Sequence, residues 1–332
     1  MNQKDIVLSG IRSTGSLHLG NYFGALRNFV RLQETNICYF FIADYHSLTT
    51  HPTPEDMHNN VRRVMAEYIA SGIDPEKCTL YVQSDVPEIC ELYLLLNMIA
   101  YMGELERTTT FKDKIRKQPD NINAGLLTYP VLMASDILIH RAHWVPVGKD
   151  QEQHLELARV YARRFNNTYN CEIFPEPEAF NFGDNLVKVP GLDGTGKMGK
   201  SEGNGIYLTD APEIIRKKVM KAVTDTGPTE PNQKPAEPIQ NLFTIMDLVS
   251  KPETVAFFRE QYASCSIRYG DMKKQLAEDI IIFVAPIREK FEQIFNDKEY
   301  LGKVAATGRE KARANAVNTI NEARKAIGIL RF

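Results

Sequence analysis

The chain has 332 residues, of which 43% are hydrophobic and 25% are charged, and its formal net charge is -2 at pH 7. This composition is typical of a globular protein, and the length is enough for two domains of about 150 residues each. The balance of charge, with a pI near 6.4, excludes a globally basic nucleic-acid-binding protein, so a polyanion must bind at a local basic surface.

The five cysteines lie far apart and form no C-x-x-C pair. Because their number is odd and their spacing irregular, they predict neither a disulfide framework nor a zinc or iron–sulfur site, and a reducing cytosol fits them best. No apolar run approaches the roughly 20 residues that span a membrane, and the first residues lead straight into a strand-like segment instead of a secretory signal. We therefore expect a cytoplasmic location and no membrane partner.

The first half of the chain alternates short apolar runs with amphipathic segments. Strands are predicted at "DIVLSG", "CYFFIADYHSL" and "CTLYVQS", and helices at "NYFGALRNFVRLQ" and over Pro54–Ser71. Thr53 is placed to cap the second helix, with Pro54 in its first turn and Gly72 just past its end. The alternation requires crossover connections and therefore predicts a parallel sheet.

Helical patterns dominate the rest of the chain. A helix from Pro87 to Met102 is followed by the basic segment "ERTTTFKDKIRKQPDN", an apolar helix "GLLTYPVLMASDILIHRA", a strand "HWVPVG" and a helix near Gln151. From "DAPEIIRKKVMKAV" onward strand signals vanish. We predict an α/β protein: a Rossmann-like doubly wound parallel-sheet domain over 1–208, a mostly α-helical domain over 209–305, and a C-terminal helix within 306–332 whose apolar stripe packs back on the first domain.

The stretch "STGSLHLGNYFGAL" places Gly15, His18 and Gly20 between a strand and a helix. A turn of this kind presents backbone N–H groups and a helix N-terminus to phosphates, although neither standard glycine-rich phosphate motif is present. Two interpretations stay open from these residues. Either Gly20 permits close approach of a nucleotide while His18 and Asn21 contact phosphate, or the glycines shape a tight turn and His18 is a surface residue.

A second glycine-rich loop, "GTGKMGKSEG", carries Lys197 and Lys200. Two ammonium groups on such a loop can close over a triphosphate and stabilise the charge that develops on a departing pyrophosphate. The alternative for this loop alone is a solvated basic segment.

These loops resemble two signatures of class I aminoacyl-tRNA synthetases. "HLGN", residues 18–21, resembles their "HIGH" motif, and "KMGKS", residues 197–201, resembles their "KMSKS" loop. Asn21 replaces the last histidine, as is common in the tryptophan and tyrosine branch, and Gly199 replaces the middle serine. Between them, "GELERTTTFKDK", "AGLLTYPVLMASDIL" and "VPVGKDQEQHLELAR" resemble bacterial tryptophanyl-tRNA synthetases, and the resemblance covers nearly the whole chain.

The resemblance implies a tryptophan–tRNA ligase, which activates L-tryptophan with ATP to tryptophanyl-adenylate and then transfers it to the 3′ end of tRNA(Trp). It implies ATP with Mg²⁺ as the substrate complex, no tightly bound protein metal, anticodon binding by the helical domain, and a homodimer. The alternatives are a tyrosyl-tRNA synthetase, a tRNA-independent nucleotidyltransferase, and a non-catalytic relative that binds tryptophan or RNA.

The amino-acid site is predicted from the chemistry of indole, which is flat, apolar and carries one hydrogen-bond donor. Met133 and Asp136 face the same way on one helix, and Val145 and Val147 alternate along the next strand. A carboxylate inside "LMASDILI" is costly to bury unless it has a specific partner. By resemblance Asp136 accepts the indole N–H. The predicted tryptophan-binding residues are Leu8, His46, Tyr129, Met133, Asp136, Val145, Val147 and Gln151, of which Tyr129 and Gln151 bind the α-amino group.

The nucleotide site is carried over by resemblance. The predicted ATP-binding residues are Arg12, Thr14, Gly20, Asn21, Lys112, Lys114, Gly148, Asp150, Val189, Lys197, Met198, Gly199, Lys200 and Ser201, and the predicted catalytic residues are His18, Lys197 and Lys200. Asp150 is assigned to a ribose hydroxyl, and Lys112 and Lys114 to the phosphates of the open enzyme. His140 and His143 are spaced like a metal pair but lack a third ligand, so we predict structural roles for them. Positive charge for tRNA is offered by Arg216, Lys217, Lys218, Lys221 and the segment "GREKARAN".

Overall fold

The structure, a computed structural model, describes residues 5–117, 119–148, 151–180, 182, 187–194, 196–200 and 202–329. Within this part of the chain the strands form one sheet. The strands are β1 (Ile6–Arg12), β2 (Ile37–Ala43), β3 (Thr79–Val82), β4 (Trp144–Val145) and β5 (Glu178–Ala179). Helices cover both faces of the sheet and make up the region that follows it.

The α-helices before β4 are α1 (Leu19–Asn21), α2 (Arg27–Leu32), α3 (Asp44–Ser47), α4 (Pro54–Ala70), α5 (Glu88–Asn97), α6 (Met102–Glu106), α7 (Thr109–Lys117), α8 (Ala124–Leu127) and α9 (Tyr129–Ile139). A π-helical turn at Tyr22–Leu26 joins α1 to α2, and short 3₁₀ helices occupy Leu48–Thr50 and Gln83–Asp85. The later helices are α10 (Glu152–Tyr169), α11 (Pro212–Met220), α12 (Glu237–Val249), α13 (Pro252–Ala263), α14 (Tyr269–Asn296) and α15 (Lys298–Ile327).

The sheet has the order β3-β2-β1-β4-β5, and all neighbouring strands run parallel. The chain adds β2 and β3 on one side of β1 and then returns to add β4 and β5 on the other. This reversal opens a crevice beyond the carboxyl ends of β1 and β4, where ligands bind in doubly wound sheets. The predicted α/β fold with a helical second region is confirmed.

Helix α4 forms as its sequence predicts. The Thr53 hydroxyl accepts a hydrogen bond from the Asp56 N–H, and Pro54 lies in the first turn. Gly72 follows the helix with φ +109°, in the left-handed region that favours glycine. The buried face of the helix, which includes Val64 and Tyr68, joins the core that packs on the sheet. The capping and turn residues therefore act at the positions where the sequence places them.

Other elements differ from the prediction for local reasons. The helix predicted from Pro87 to Met102 is interrupted, because α5 ends at Asn97 and α6 begins at Met102. The basic segment that follows folds into α7. The predicted strand "HWVPVG" pairs only at Trp144–Val145, since Pro146 has no N–H to donate to the sheet.

The last helix, α15, is longer than predicted and returns to the sheet. It begins after Asp297, whose carboxylate accepts the Tyr300 N–H. Gly308 packs so closely on β3 that a Cβ there would lie 1.7 Å from the Leu80 carbonyl oxygen. Arg313 forms an ion pair with Glu88 on α5 at 2.7 Å, and Arg324 forms another with Glu91. The boundaries 1–208, 209–305 and 306–332 stay predictions.

The two histidines with metal-like spacing serve different neighbours. His140 is buried between the Tyr81 hydroxyl at 3.0 Å and Asn315 Oδ1 at 2.8 Å, and burial lowers its pKa to about 4. His143 Nδ1 accepts the Ile6 N–H at 3.1 Å. Across the described ranges, no three His, Cys, Asp or Glu side chains are grouped to hold a metal ion. In the same ranges no helix is both long and apolar enough to cross a membrane.

Candidate active site

A cavity of about 430 Å³ opens at the carboxyl ends of β1 and β4, at the reversal of the sheet. Most predicted site residues meet here, from segments far apart in the chain. Those that line it are Leu8, Arg12, Thr14, Asn21, His46, Tyr129, Met133, Asp136, Val145, Val147, Gly148, Gln151, Lys197 and Lys200. One part of the lining is apolar with a single acid, and another carries the cations.

The apolar part is built around Asp136, which is 1% exposed. Its Oδ1 accepts a hydrogen bond from Gln83 Nε2 at 2.7 Å, and its Oδ2 lies 2.7 Å from His46 Nε2. Burial raises the pKa of this carboxyl group, while the hydrogen bonds from His46 and Gln83 act in the opposite direction. A carboxylate offers about four lone-pair sites, so it can accept a further donor from a ligand. Met133, on the same helix, and Val145, on β4, line the adjacent wall.

Three polar side chains, those of His46, Tyr129 and Gln151, lie beside this apolar part of the cavity. The His46 and Tyr129 rings have centroids 4.5 Å apart. Gln151 precedes α10, and its Oε1 lies 3.0 Å from His154 Nδ1. His46 on α3, Tyr129 on α9 and Gln151 just before α10 all line the cavity, and they supply polar atoms next to the apolar wall.

The turn after β1 is organised around His18. Its Nδ1 accepts the Asn21 N–H at 3.3 Å, and Asn21 Oδ1 accepts the His18 N–H at 3.1 Å. Burial and the charges of Lys200 and Lys197 lower the pKa of His18 to about 4, so the ring is neutral at pH 7 and carries its proton on Nε2.

His18 is only 3% exposed, which excludes the interpretation that it is a surface residue. It is not among the described residues that line the cavity. A Cβ at Gly20 would lie 2.8 Å from the His18 ring, so glycine is needed there to seat the histidine. This requirement is independent of the close nucleotide approach that the sequence predicts for Gly20.

The glycine-rich loop that carries Lys197 and Lys200 (the lysine loop) is held by contacts with the interior of the protein. Met198 is fully buried, its N–H donates to the Val189 carbonyl oxygen at 2.9 Å, and its side chain packs on Gly205. The predicted ATP-binding residues Val189, Met198 and Gly199 therefore hold the loop and are not among the described residues that line the cavity. Asn204, which the sequence analysis missed, accepts the Gly199 N–H at 3.0 Å and donates to Asp193 at 3.1 Å.

The cationic part contains Arg12, Lys197 and Lys200. Lys200 Nζ donates to the Gly15 carbonyl oxygen at 3.0 Å, and burial lowers its pKa to about 8. Lys114 Nζ lies 4.5 Å from the centroid of the Tyr129 ring, and burial followed by the Arg12 charge lowers its pKa to about 8.

Lys112 is exposed and is not among the described residues that line the cavity. Residues two apart on a helix point in different directions, so α7 brings Lys114 toward the site and leaves Lys112 in solvent. Two further predicted residues, Asp150 and Ser201, lie outside the described part of the chain.

Several site residues were missed. Ser9, Gly10 and Pro146 line the cavity, and Gln83 holds Asp136. Gln83 follows directly after β3, at the sheet edge where functional side chains gather in this fold. Its position could have identified Gln83 from the sequence, because a polar residue at the carboxyl end of a buried strand lies next to the ligand crevice.

Comparison with known proteins agrees with this geometry. The family of class I tRNA synthetases (W and Y) matches residues 1–285. The chain is 61% identical to the tryptophan–tRNA ligase of Porphyromonas gingivalis over 324 residues, which are 98% of this chain and 99% of that protein. It is 42% identical to the tryptophan–tRNA ligase of Rickettsia bellii over 331 residues, covering 98% and 99% of the two chains.

A crystal structure of tryptophanyl-tRNA synthetase from Campylobacter jejuni, complexed with ADP and tryptophan, is similar with a TM-score of 0.88 and 35% identity. The similarity covers 97% of this chain and 99% of that one. A family match over most of the chain, high identity over nearly its full length and a shared fold all agree. The chain belongs to the class I tRNA synthetases of the tryptophan and tyrosine type.

Proposed function

We infer that the protein is a tryptophan–tRNA ligase, which forms tryptophanyl-adenylate and pyrophosphate from L-tryptophan and ATP and then transfers the aminoacyl group to tRNA(Trp). The observation that carries this inference is the buried Asp136 in an apolar pocket that continues into a cationic one. The close similarity to tryptophan–tRNA ligases supports the same substrate over tyrosine.

The apolar part of the cavity fits an indole ring. Met133, Val145 and Val147 provide flat apolar contact, and Asp136 provides an acceptor for the indole N–H. We propose that Tyr129 and Gln151, which line the same cavity, bind the α-amino group. Phenylalanine would leave the buried carboxylate without its ligand donor, and a site built around such a hydrogen bond rejects the analogue by a factor on the order of 10⁴.

The cationic part fits the triphosphate of ATP. The tryptophan carboxylate is already ionised at neutral pH, so its attack on the α-phosphate needs no general base. Catalysis then consists of aligning the two substrates and stabilising the charge that moves onto pyrophosphate. Lys197 and Lys200 supply positive charge for the second task. We propose that the neutral His18, which is not among the described residues that line the cavity, donates its Nε2–H to a phosphate oxygen when ATP is bound.

ATP enters as its Mg²⁺ complex. Asp136 is the one acidic side chain among the described residues that line the cavity, and two side chains already hold it. Phosphate oxygens and water therefore provide the ligands of the ion, as is common for Mg²⁺ at nucleotide sites.

The helices after residue 209 are proposed to recognise the anticodon. Within the basic group predicted for tRNA, Arg216 pairs with Glu278 at 2.7 Å and Lys218 pairs with Asp210 at 2.6 Å. These ion pairs partly neutralise the positive charge that α11 presents to a polyanion. Lys217 is exposed on the same helix and is the better candidate for a phosphate contact.

We place the enzyme in the cytoplasm, where ATP and tRNA are available. The five cysteines, all within the described part of the chain, form no disulfide with one another, and Cys90 and Cys265 are exposed. Free exposed thiols fit a reducing compartment.

Amino-acid-dependent exchange of pyrophosphate into ATP tests the proposed function. Tryptophan is expected to drive exchange with a kcat/KM at least about 10⁴ times that of phenylalanine, because only tryptophan pairs with Asp136. Charging of a tRNA(Trp) transcript tests the second step. Exchange driven by tyrosine alone would contradict the proposal, and exchange without charging of any tRNA would favour the tRNA-independent nucleotidyltransferase.

A dimer is proposed from an exposed apolar surface around the end of α5. Six large apolar side chains on α5, on α6 and in the segments around 48, 101 and 122 are more than half exposed: Leu48, Leu94, Met98, Tyr101, Met102 and Ile122. Monomers rarely expose apolar groups in such concentration, and the family resemblance implies a homodimer. We propose that two copies bury this surface against each other.

Replacing Met98, which is 70% exposed, with aspartate is expected to weaken the dimer by at least about tenfold, because the charge would be buried in an apolar interface. Sedimentation velocity over a concentration series measures the change. The control is Ile282→Asp, since Ile282 is 71% exposed on α14 and lies outside this surface. A wild-type chain that stays monomeric at all concentrations contradicts the proposal.

A further inference from the structure

Glu67 is a fully buried acid that the reaction described above does not use. It lies on α4, among apolar neighbours such as Val64, Met65 and Tyr68. An acid in such a place is costly unless specific partners hold it. The partner here is the turn that carries His18, because Glu67 Oε2 accepts the Leu17 N–H at 2.8 Å.

Lys200 holds the same turn from the lysine loop. Its Nζ donates to the Gly15 carbonyl oxygen at 3.0 Å, two residues before Leu17. The turn 15–17 therefore accepts one hydrogen bond from the loop and donates another to α4. This arrangement brings the Lys200 ammonium and the Glu67 carboxyl group close enough for each to act on the charge of the other.

We propose that Glu67 is a positioning residue, which keeps the Lys200 ammonium charged and held against the 15–17 turn until ATP arrives. This inference rests on the proposed role of Lys200 toward the phosphates. Burial and the nearby charge of Arg12 both favour loss of the Lys200 proton. The carboxylate behind the turn opposes that loss, and it does so without entering the cavity, where it would repel phosphate.

The titration of the two groups defines the pH range of the effect. Burial raises the pKa of Glu67 to about 7, with the Leu17 N–H, Lys200, Arg63 and the Ser16 side chain acting against it. Burial lowers the pKa of Lys200 to about 8, the Glu67 charge raises it, and the Arg12 charge lowers it again. Above about pH 7 Glu67 is ionised and supports the charge on Lys200. Below that pH Glu67 becomes neutral and resembles glutamine.

Glu67→Gln keeps the shape of the side chain and removes its charge. The measurement is kcat/KM for ATP in tryptophan-dependent pyrophosphate exchange from pH 6 to pH 9, which reports the groups of the free enzyme. We expect the ratio of wild type to variant to be about 1 at pH 6 and to rise to about tenfold at pH 8.5, as for a one-unit fall in the pKa of Lys200. KM for tryptophan should stay unchanged.

Two comparisons separate positioning from mere stability. Glu88→Gln removes another buried acid, which pairs with Arg313 away from the cavity. For this variant the ratio of the wild-type kcat/KM to its own should not vary with pH. In a Lys200→Arg background, where the side chain keeps its proton throughout, adding Glu67→Gln should also give a ratio that does not vary with pH.

If Glu67→Gln does not fold, Glu67→Asp provides the test, because it retains the charge and should retain most of the wild-type activity at pH 8.5. A loss by Glu67→Gln that is equal at all pH values overturns the inference and indicates a structural role alone. Loss of most alkaline activity in a folded Glu67→Asp overturns it as well. Absence of exchange in the wild type instead overturns the proposed function, so the two failures are distinguishable.

Discussion

Replacing Asp136 with asparagine is expected to lower kcat/KM for tryptophan in pyrophosphate exchange by about 100-fold. The carboxylate binds His46 and Gln83 with its two oxygens and still offers lone pairs to the indole N–H. An asparagine amide replaces one oxygen with an NH₂ group, which would face a donor from Gln83, from His46 or from the indole. At least one of these buried donors would then lose its acceptor.

The matched control is Ser135→Ala, the neighbouring buried residue on α9. The Ser135 hydroxyl donates to the Val131 carbonyl oxygen at 2.8 Å within the helix and is not among the described residues that line the cavity. Its replacement should change kcat/KM for tryptophan by less than about threefold, since it removes only a local helix hydrogen bond. If Asp136→Asn retained full tryptophan activity, the assigned role of Asp136 would be wrong.

Replacing Lys200 with alanine is expected to reduce kcat for exchange by about 100- to 1000-fold, the usual range for removing one charged or polar group that stabilises a transition state. Lys200 lines the cavity and contacts the turn that carries His18, and we propose that it stabilises the charge that develops on the departing pyrophosphate. Tryptophan binding should change little, because the residues proposed to hold the indole ring, Met133 and Asp136, have no recorded contact with Lys200.

Single-turnover formation of tryptophanyl-adenylate measures the effect on the chemical step, and equilibrium binding of tryptophan measures the effect on the amino-acid site. Lys217→Ala, which removes an exposed lysine from α11, is the control and should leave exchange at the wild-type rate. A Lys200→Ala enzyme with normal kcat but a raised KM for ATP would show that Lys200 contributes to ground-state binding and not to the transition state.

The residues predicted for tryptophan binding are those that the structure brings together most completely, since all eight line the cavity. Met133 and Asp136 lie on one helix, and Val145 and Val147 lie on one short extended segment, so local spacing alone placed each pair on a common face. The residues predicted for ATP binding were harder to place from the sequence. Lys112 and Lys114 are equivalent as sequence, and only the orientation of α7 separates the lysine near the cavity from the lysine in solvent.

In the lysine loop, too, the sequence alone does not separate residues that line the cavity from residues that pack in the core. Its two lysines line the cavity as predicted, while Met198 between them points into the core. A methionine in a polar loop does not reveal whether it meets a ligand or an interior. The contact with Gly205 and the support from Asn204 decide that, and both depend on how the loop folds back on itself.

Short-range periodicity and motifs a few residues long were enough to predict the parallel α/β class and the two signature loops, and to place Met133 with Asp136 and Val145 with Val147 on common faces. The groups that support these elements became visible only in the folded protein. Gln83 reaches Asp136, Glu67 reaches Leu17, and α15 packs on β3 across long separations in the chain. Such contacts depend on where the sheet and its helices bring distant residues together, and no local pattern encodes that distance.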